Sequence, residues 1–156
     1  RFHNVYGPLG TYDGGREKAP AAICRKVALA PDGGEIEIWG DGEQTRSFLH
    51  INDCVDGVWR LISSEHGGPL NLGTSRLITI NALVDLVSEI AGKKLVKTYN
   101  LNGPQGVRGR NSDNTRVYGA LGWEPLVSLE EGMATSYQWI ESELMNEGRL
   151  PAVNSN

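Results

Sequence analysis

Glycine comes at short intervals in this chain, and many of the 20 sit in pairs or beside prolines: Gly7-Pro8, Gly14-Gly15, Gly33-Gly34 and Gly67-Gly68-Pro69. Such pairs end whatever element precedes them, so the elements must be short and numerous. Between the turns the apolar residues change period. "EIEIWG" (35–40) alternates as a half-buried strand does, and "INALVDLVSEIAG" (80–92) repeats at helical spacing. A chain that mixes both periods in this way is expected to fold as α/β.

Read in order, "RFHNVY" is a short strand and Pro20–Leu29 a helix. "EIEIWG" is a strand that Gly40-Asp41-Gly42 turns into a second run, "QTRSFLHI", as a hairpin. Asn52 or Asp53 caps a helix over "CVDGVWRLISS", with Val55, Val58, Leu61 and Ile62 on its apolar face. "PLNLG" is a short buried strand. Thr79 or Asn81 opens the long amphipathic helix that Gly92 ends, and "KKLVKTY" is a strand. Asn100–Arg110 is loop, Ser112 or Asp113 caps a short helix, and Ser128 with Glu131 forms a capping box for the last helix. Residues 1–148 form one domain and 149–156 a flexible tail.

Bulk properties exclude several functions. The net charge of −4 over 156 residues argues against general nucleic-acid or membrane-surface binding. No apolar run approaches membrane-spanning length. Cys24 and Cys54 form no CxxC pair and His3, His50 and His66 are scattered. Neither a disulfide framework nor a zinc site is expected, and a reducing cytosol is the default. Ser47, His50 and Asp53 lie three apart, but strand alternation argues against a hydrolytic triad. Cys24 reads as a buried structural thiol, the four tryptophans as core or helix packing, and Asp53 and Asp56 as a helix cap and a dipole partner. Lys93, Lys94 and Lys97 read as a solvated edge.

Several blocks, in order, resemble one family. "RFHNVYGP", "SFLHINDCVDGVWRLI", "PLNLGTSRLITINALVDLV" and "YGALGWEPLVSLEEGMATSYQWI" are similar to segments of the extended short-chain dehydrogenases/reductases of the NAD-dependent epimerase/dehydratase family. "GTYDGGREKAPAAICRK", "WGDGEQTRSF" and "GPQGVRGRNSDN" resemble the branch that epimerises GDP-mannose. The sequence has neither the family's Gly-x-x-Gly-x-x-Gly turn nor its Tyr-x-x-x-Lys. It therefore reads as the C-terminal, substrate-binding part of such an enzyme. Its two strands, "RFHNVY" and "PLNLG", would belong to a missing Rossmann sheet.

The resemblance implies a 4-keto sugar intermediate, formed with NAD in the complete enzyme; the chain itself is expected to bind no NAD and to be inactive alone. It implies that Lys18 is an acid–base residue and that its cysteine partner lies outside the chain. A lysine is tuned for that work by desolvation or by cationic neighbours, here Arg16, Arg25 and Lys26 in sequence. Glu17, Lys18 and Ala19 would flank the sugar, and Asn4 would hydrogen-bond the ligand. Arg46 and Arg110 would hold the nucleotide diphosphate, with Gln44 and Thr45 beside Arg46 in the nucleotide-sugar site and Lys26 a further phosphate or ribose contact. Arg108 is an equal candidate by residue type, but the family pattern favours Arg110. The implied ligand is GDP-mannose or a related nucleotide sugar, in a cytoplasmic homodimer with no metal. The competing expectations are an enzyme for UDP- or dTDP-sugars and a non-catalytic nucleotide-sugar binding module.

Overall fold

The computed structural model describes residues 1–103 and 106–151. Strand β1 (Val5–Tyr6) leads into helix α1 (Ala19–Leu29), strand β2 (Glu35–Trp39), β3 (Thr45–Arg46), β4 (Leu49–His50) and helix α2 (Ile51–Ile62). Then come β5 (Ile78–Thr79), α3 (Ile80–Ile90), β6 (Val96–Asn100), β7 (Gly109–Arg110), α4 (Thr115–Leu121) and α5 (Leu129–Asn146). The expected α/β class holds.

The main core lies where α1, α3 and α5 pack on one another and on β2. Alternation along β2 turns Ile36 and Ile38 inward. They meet Cys24 and Val27 of α1, Leu83, Val84 and Val87 of α3, and Met133, Ile140 and Leu144 of α5. A smaller cluster of Leu49, Cys54, Leu70, Leu72, Val117 and Trp123 lies beside it. Gly132 of α5 sits where a Cβ would collide with the Tyr6 hydroxyl and come within 3.0 Å of the His50 ring. Only glycine allows α5 to approach the β1–β4 pair that closely.

The two stretches predicted as short core strands are neighbours. Phe2 bridges Leu72 in parallel, His3 N–H donates to Leu72 O at 3.0 Å, and β1 pairs in parallel with β4. The predicted hairpin does not form. β2 pairs in parallel with β6, from Glu35↔Val96 to Trp39↔Asn100, whereas β3 pairs antiparallel with β5 and parallel with β7. The Gly40–Gly42 turn is docked on the start of α3, with Asn81 N–H donating to Gly42 O at 3.0 Å. The chain is thereby diverted into another sheet, and "QTRSFLHI" splits into β3 and β4. The stretch read as loop over 100–110 supplies β7, which finds its partner only in the tertiary fold.

Helix α2 departs most from expectation. Its N-cap is His50, whose Nδ1 accepts from Asn52 N–H at 3.3 Å, rather than Asn52 or Asp53. The inward face carries Asp53, Cys54 and Gly57, with Val58 and Leu61 packed at its edge. Val55 and Ile62 point outward, 59% and 71% exposed, as does Trp59 at 69%. Asp53 turns inward because its two oxygens accept from Leu126 N–H and Val127 N–H, both at 3.0 Å. Asp56 pairs with Arg60 at 2.8 Å.

The other helix ends follow simpler rules. Thr79 caps α3 through Ala82 N–H, and the Ser128–Glu131 capping box opens α5 as expected. The N-cap of α4 is Asn114, although Asp113 Oδ1 does accept from Thr115 N–H at 2.9 Å. Lys93 is no solvated edge residue: its ammonium donates to Val27, Ala28 and Ala30 carbonyls at 2.9, 2.8 and 2.7 Å. Contacts also continue past residue 148. Arg149 pairs with Asp13 at 2.8 Å, and Leu150 N–H donates to Leu144 O at 3.2 Å. Residues 152–156 of the expected tail lie outside the described residues.

Candidate functional site

The site begins at the start of α1. Gly14 and Gly15, at φ of 88° and 82°, turn the preceding loop through conformations that side chains resist. Lys18 follows as the N-cap, extended at φ −81°, with no side-chain capping bond. Its carbonyl accepts from Ala22 N–H at 3.0 Å, so the helix fixes its backbone while its ammonium stays outside the capping network. Lys18 and Arg16 line a cavity of about 780 Å³. The opposite walls are the end of β1, the Gly7–Thr11 loop, His50 to Asn52, and Thr135 and Ser136 of α5.

The residues flanking Lys18 face a second cleft of about 380 Å³. Glu17, Ala19, Lys26, Gln44 and Arg46 line it, together with Glu37 and Trp39. The polar wall is braced. Lys26 donates to Glu37 O at 2.8 Å and lies 5.9 Å from the centroid of the Trp39 ring. Gln44 Nε2 donates to Trp39 O at 3.0 Å, and Arg46 Nη1 to Thr45 O at 2.7 Å. Among the described residues two acceptors in this wall are buried without a hydrogen bond, Glu17 Oε2 and Gln44 Oε1. Unsatisfied buried acceptors are costly, and here they stand beside two cationic side chains. A ligand that carries both negative charge and hydroxyl or N–H donors would satisfy the whole wall.

Glu17 is ionised there. Its own backbone N–H and the Arg25 guanidinium, 3.0 Å away, hold its carboxyl below the ordinary value. Arg25 is thus no free positive neighbour of Lys18, since it is paired with Glu17 and lies 3.7 Å from Asp13.

The remaining expected residues lie further out. Thr45 stands opposite Gly109 and Arg46 opposite Arg110, so strand pairing lays the third basic segment beside Arg46 without bringing it into the cleft. Thr45 and Arg110 line neither cavity, and Arg110 is exposed. Arg108 is engaged with Asp41 at 3.4 Å. Pro104 and Gln105 of that segment lie outside the described residues. Asn4, in a left-handed conformation at φ 47°, donates its side-chain amide to Ser47 O at 2.9 Å, bracing β1 against the chain before β4.

Sequence reasoning passed over Tyr6, His50 and Trp39. Burial pushes the Tyr6 hydroxyl well above its ordinary value and pushes the His50 imidazole down, against the pull of Asp53. His50 Nδ1 is used at the helix cap, and its buried Nε2 has no hydrogen bond. Trp39 is half exposed in the cleft rather than core, and its indole donates to Glu37 Oε1 at 3.0 Å. A helical or strand period could not have found these three, because their positions depend on which element packs opposite. No triad forms: Ser47 Oγ has no hydrogen bond and both Asp53 oxygens serve backbone amides. Cys24 is fully buried and its thiol is pushed up to about 12 by burial. Among the described residues no three His, Cys, Asp or Glu side chains are grouped to hold a metal ion.

Residues 1–73 match the sequence profile of the NAD dependent epimerase/dehydratase family. GDP-mannose 3,5-epimerase of Arabidopsis thaliana is 48% identical over 147 residues, which cover 94% of this chain and 38% of that protein. UDP-glucose 4-epimerase of Thermotoga maritima, solved with UDP-glucose, matches at a TM-score of 0.83 and 32% identity, over 92% of this chain and 45% of that one. UDP-glucuronic acid 4-epimerase of Bacillus cereus, solved with UDP-glucuronic acid and NAD, matches at 0.80 and 25% identity, over 92% and 44%. The chain therefore spans less than half the length of these relatives.

Proposed function

We propose, for a chain that is homologous to part of the GDP-mannose 3,5-epimerases and their NAD dependent epimerase/dehydratase family, that it is the substrate-binding part of a nucleotide-sugar epimerase. In the complete enzyme it would bind GDP-mannose and take part in its conversion to GDP-L-galactose in the cytosol, as a homodimer. β1 and the Leu70–Leu72 stretch would continue the nucleotide-binding sheet of the rest of that enzyme. The observation that carries the reading is the shared cleft. Glu17, Ala19 and Lys26 at α1 and Gln44 and Arg46 at β3 come from two separate segments, yet they line one cavity beside Lys18.

NAD does not fit the residues present. Helix α2 follows a parallel strand but opens on His50-Ile51-Asn52 with Asp53 in its first turn, and α1 opens on Lys18-Ala19-Pro20. Neither offers the glycine-lined amides that a dinucleotide pyrophosphate needs. Oxidation at C4 therefore belongs to parts of the enzyme outside this chain.

The residues here supply binding and one half of the proton transfer. Arg46 and Lys26 face the diphosphate, arginine being suited to bidentate contact with phosphate oxygens. Glu17 Oε2 and Gln44 Oε1 accept from ligand hydroxyl or N–H groups. Once C4 of the sugar is a ketone, the protons on C3 and C5 are acidic. Lys18 exchanges a proton with one face of the ring, and a partner outside the chain serves the other.

The test joins this chain to the N-terminal portion of the Arabidopsis relative and supplies GDP-mannose and NAD in deuterated water. Deuterium at C3 and C5 is the expected result. In that enzyme Lys18→Met should lower the rate about 10²–10⁴-fold and leave GDP-mannose affinity within a few fold. Absence of exchange in a folded, NAD-loaded enzyme, or turnover of UDP-glucose in place of GDP-mannose, would overturn the GDP-mannose reading.

A further inference from the structure

The loop that delivers Glu17 and Lys18 is open at its tip and fastened at its base. At the tip, Gly14 and Gly15 have positive φ, and a Cβ on either would touch nothing within 4 Å. At the base, Arg25 reaches back from α1 to both sides. Its Nε donates to Tyr12 O at 2.9 Å and its Nη2 to Glu17 Oε1 at 3.0 Å. Its side chain is only 19% exposed. The outer side of the loop is secured on the end of α5. Tyr12 packs edge-on against Trp139 with ring centroids 5.4 Å apart and bonds to Glu147, and Asp13 pairs with Arg149 at 2.8 Å.

These contacts are unequal. Those of Tyr12 and Asp13 with α5 hold only the entry to the loop. Arg25 alone among them joins the entry to the exit, and its guanidinium can do so because it carries separate donors in a fixed plane. The exit is the functional end, because Glu17 immediately precedes the Lys18 cap. On its far side Lys18 is already fixed by Ala22 N–H. Among the described residues Glu17 has no other side-chain partner, only its own and Gly15 backbone N–H groups, and its Oε2 is one of the two orphan acceptors of the cleft.

We propose that Arg25 is a positioning residue of the epimerase site, closing the base of the 12–17 loop so that Glu17 faces the cleft and Lys18 the adjoining cavity. Arg25 is itself part of the cleft wall, but its Nε and Nη2 are spent on Tyr12 O and Glu17 Oε1, and it acts through Glu17. The role in turnover rests on the reading of Lys18 given above; the closure of the loop does not.

Amide exchange on the 156-residue chain tests the closure, and kinetics of the joined enzyme test its purpose. Arg25→Gln should raise exchange at residues 13–17 by about tenfold or more, the weight of a lost charged hydrogen bond, while Val27 and Ala28 keep their protection. Lys18→Met should leave the loop protected. In the joined enzyme Arg25→Gln should lower kcat and move the acid limb of the pH profile upward, because Glu17 keeps its own backbone N–H but loses the guanidinium that adds to it in holding the carboxyl below its ordinary value. Arg25→Lys should recover part of both, and it serves as the test variant if Arg25→Gln does not fold. Unchanged loop exchange in a folded Arg25 variant overturns the closure, whether or not GDP-mannose is the substrate. Faster loop exchange with an unmoved pH profile and unchanged kcat overturns the positioning role and leaves the epimerase reading intact.

Discussion

Changing Lys93 to Met isolates a contact that joins two distant parts of the chain. The last carbonyls of a helix have no partner within it. At the end of α1 the Lys93 ammonium donates to Val27, Ala28 and Ala30 carbonyls, all within 2.9 Å. An ammonium has three protons, and here each meets one carbonyl. Methionine keeps the length and apolar stem and removes all three bonds. The three are not additive, because water can reach a half-buried helix end. One hydrogen bond to a charged group counts for about 1.5–3 kcal/mol, and a cation at a helix C-terminus adds roughly 0.3–1 kcal/mol. The expected loss is therefore about 2–4 kcal/mol, or roughly 5–15 °C in Tm for a domain of this size. Urea unfolding of both proteins measures it, and amide exchange should place the loss at the end of α1. Lys93→Arg should recover only part, because a planar fork cannot meet three converging carbonyls. A loss below about 0.5 kcal/mol, the range of an ordinary surface substitution, would refute the reasoning.

Three further outcomes are expected. Asp53→Ala should destabilise by about 2–5 kcal/mol, since two backbone amides at 126 and 127 would lose their buried acceptor; urea unfolding checks it. Cys24, fully buried with its thiol pushed up to about 12, should resist a thiol reagent at pH 8 until the protein is unfolded. The carboxyls of Asp13, Glu17 and Glu147 are held below their ordinary values, chiefly by hydrogen bonds, and Glu130 is lowered to about 2, chiefly by its bond to Arg76. Groups lowered on folding stabilise fully above the ordinary carboxylate range. That contribution should be lost as pH falls from about 4.5 toward about 2. Circular dichroism against pH checks the sign, and stability that rises on acidification would contradict it.

The sequence by itself determined what depends on neighbours along the chain. The period of "INALVDLVSEIAG", the Ser128–Glu131 box and the alternation of "EIEIWG" act within one or two turns, and α3, α5 and β2 follow them. Glu17, Lys18 and Ala19 stay together for the same reason, since the start of a helix orients consecutive residues. What only the tertiary structure decided depends on partners far away in the chain. Gly40-Asp41-Gly42 has the composition of a hairpin turn, but its carbonyl is taken by Asn81 and the next residues pair with 78–79 and 109–110. The apolar residues of α2 suggested one inward face, yet two amides near Val127 drew Asp53 inside and left Val55 and Ile62 outside. A free Lys93 and a caged one have the same neighbours in sequence. Whether an ammonium meets water or three carbonyls depends on which helix end packs against it, and local propensity carries no record of that.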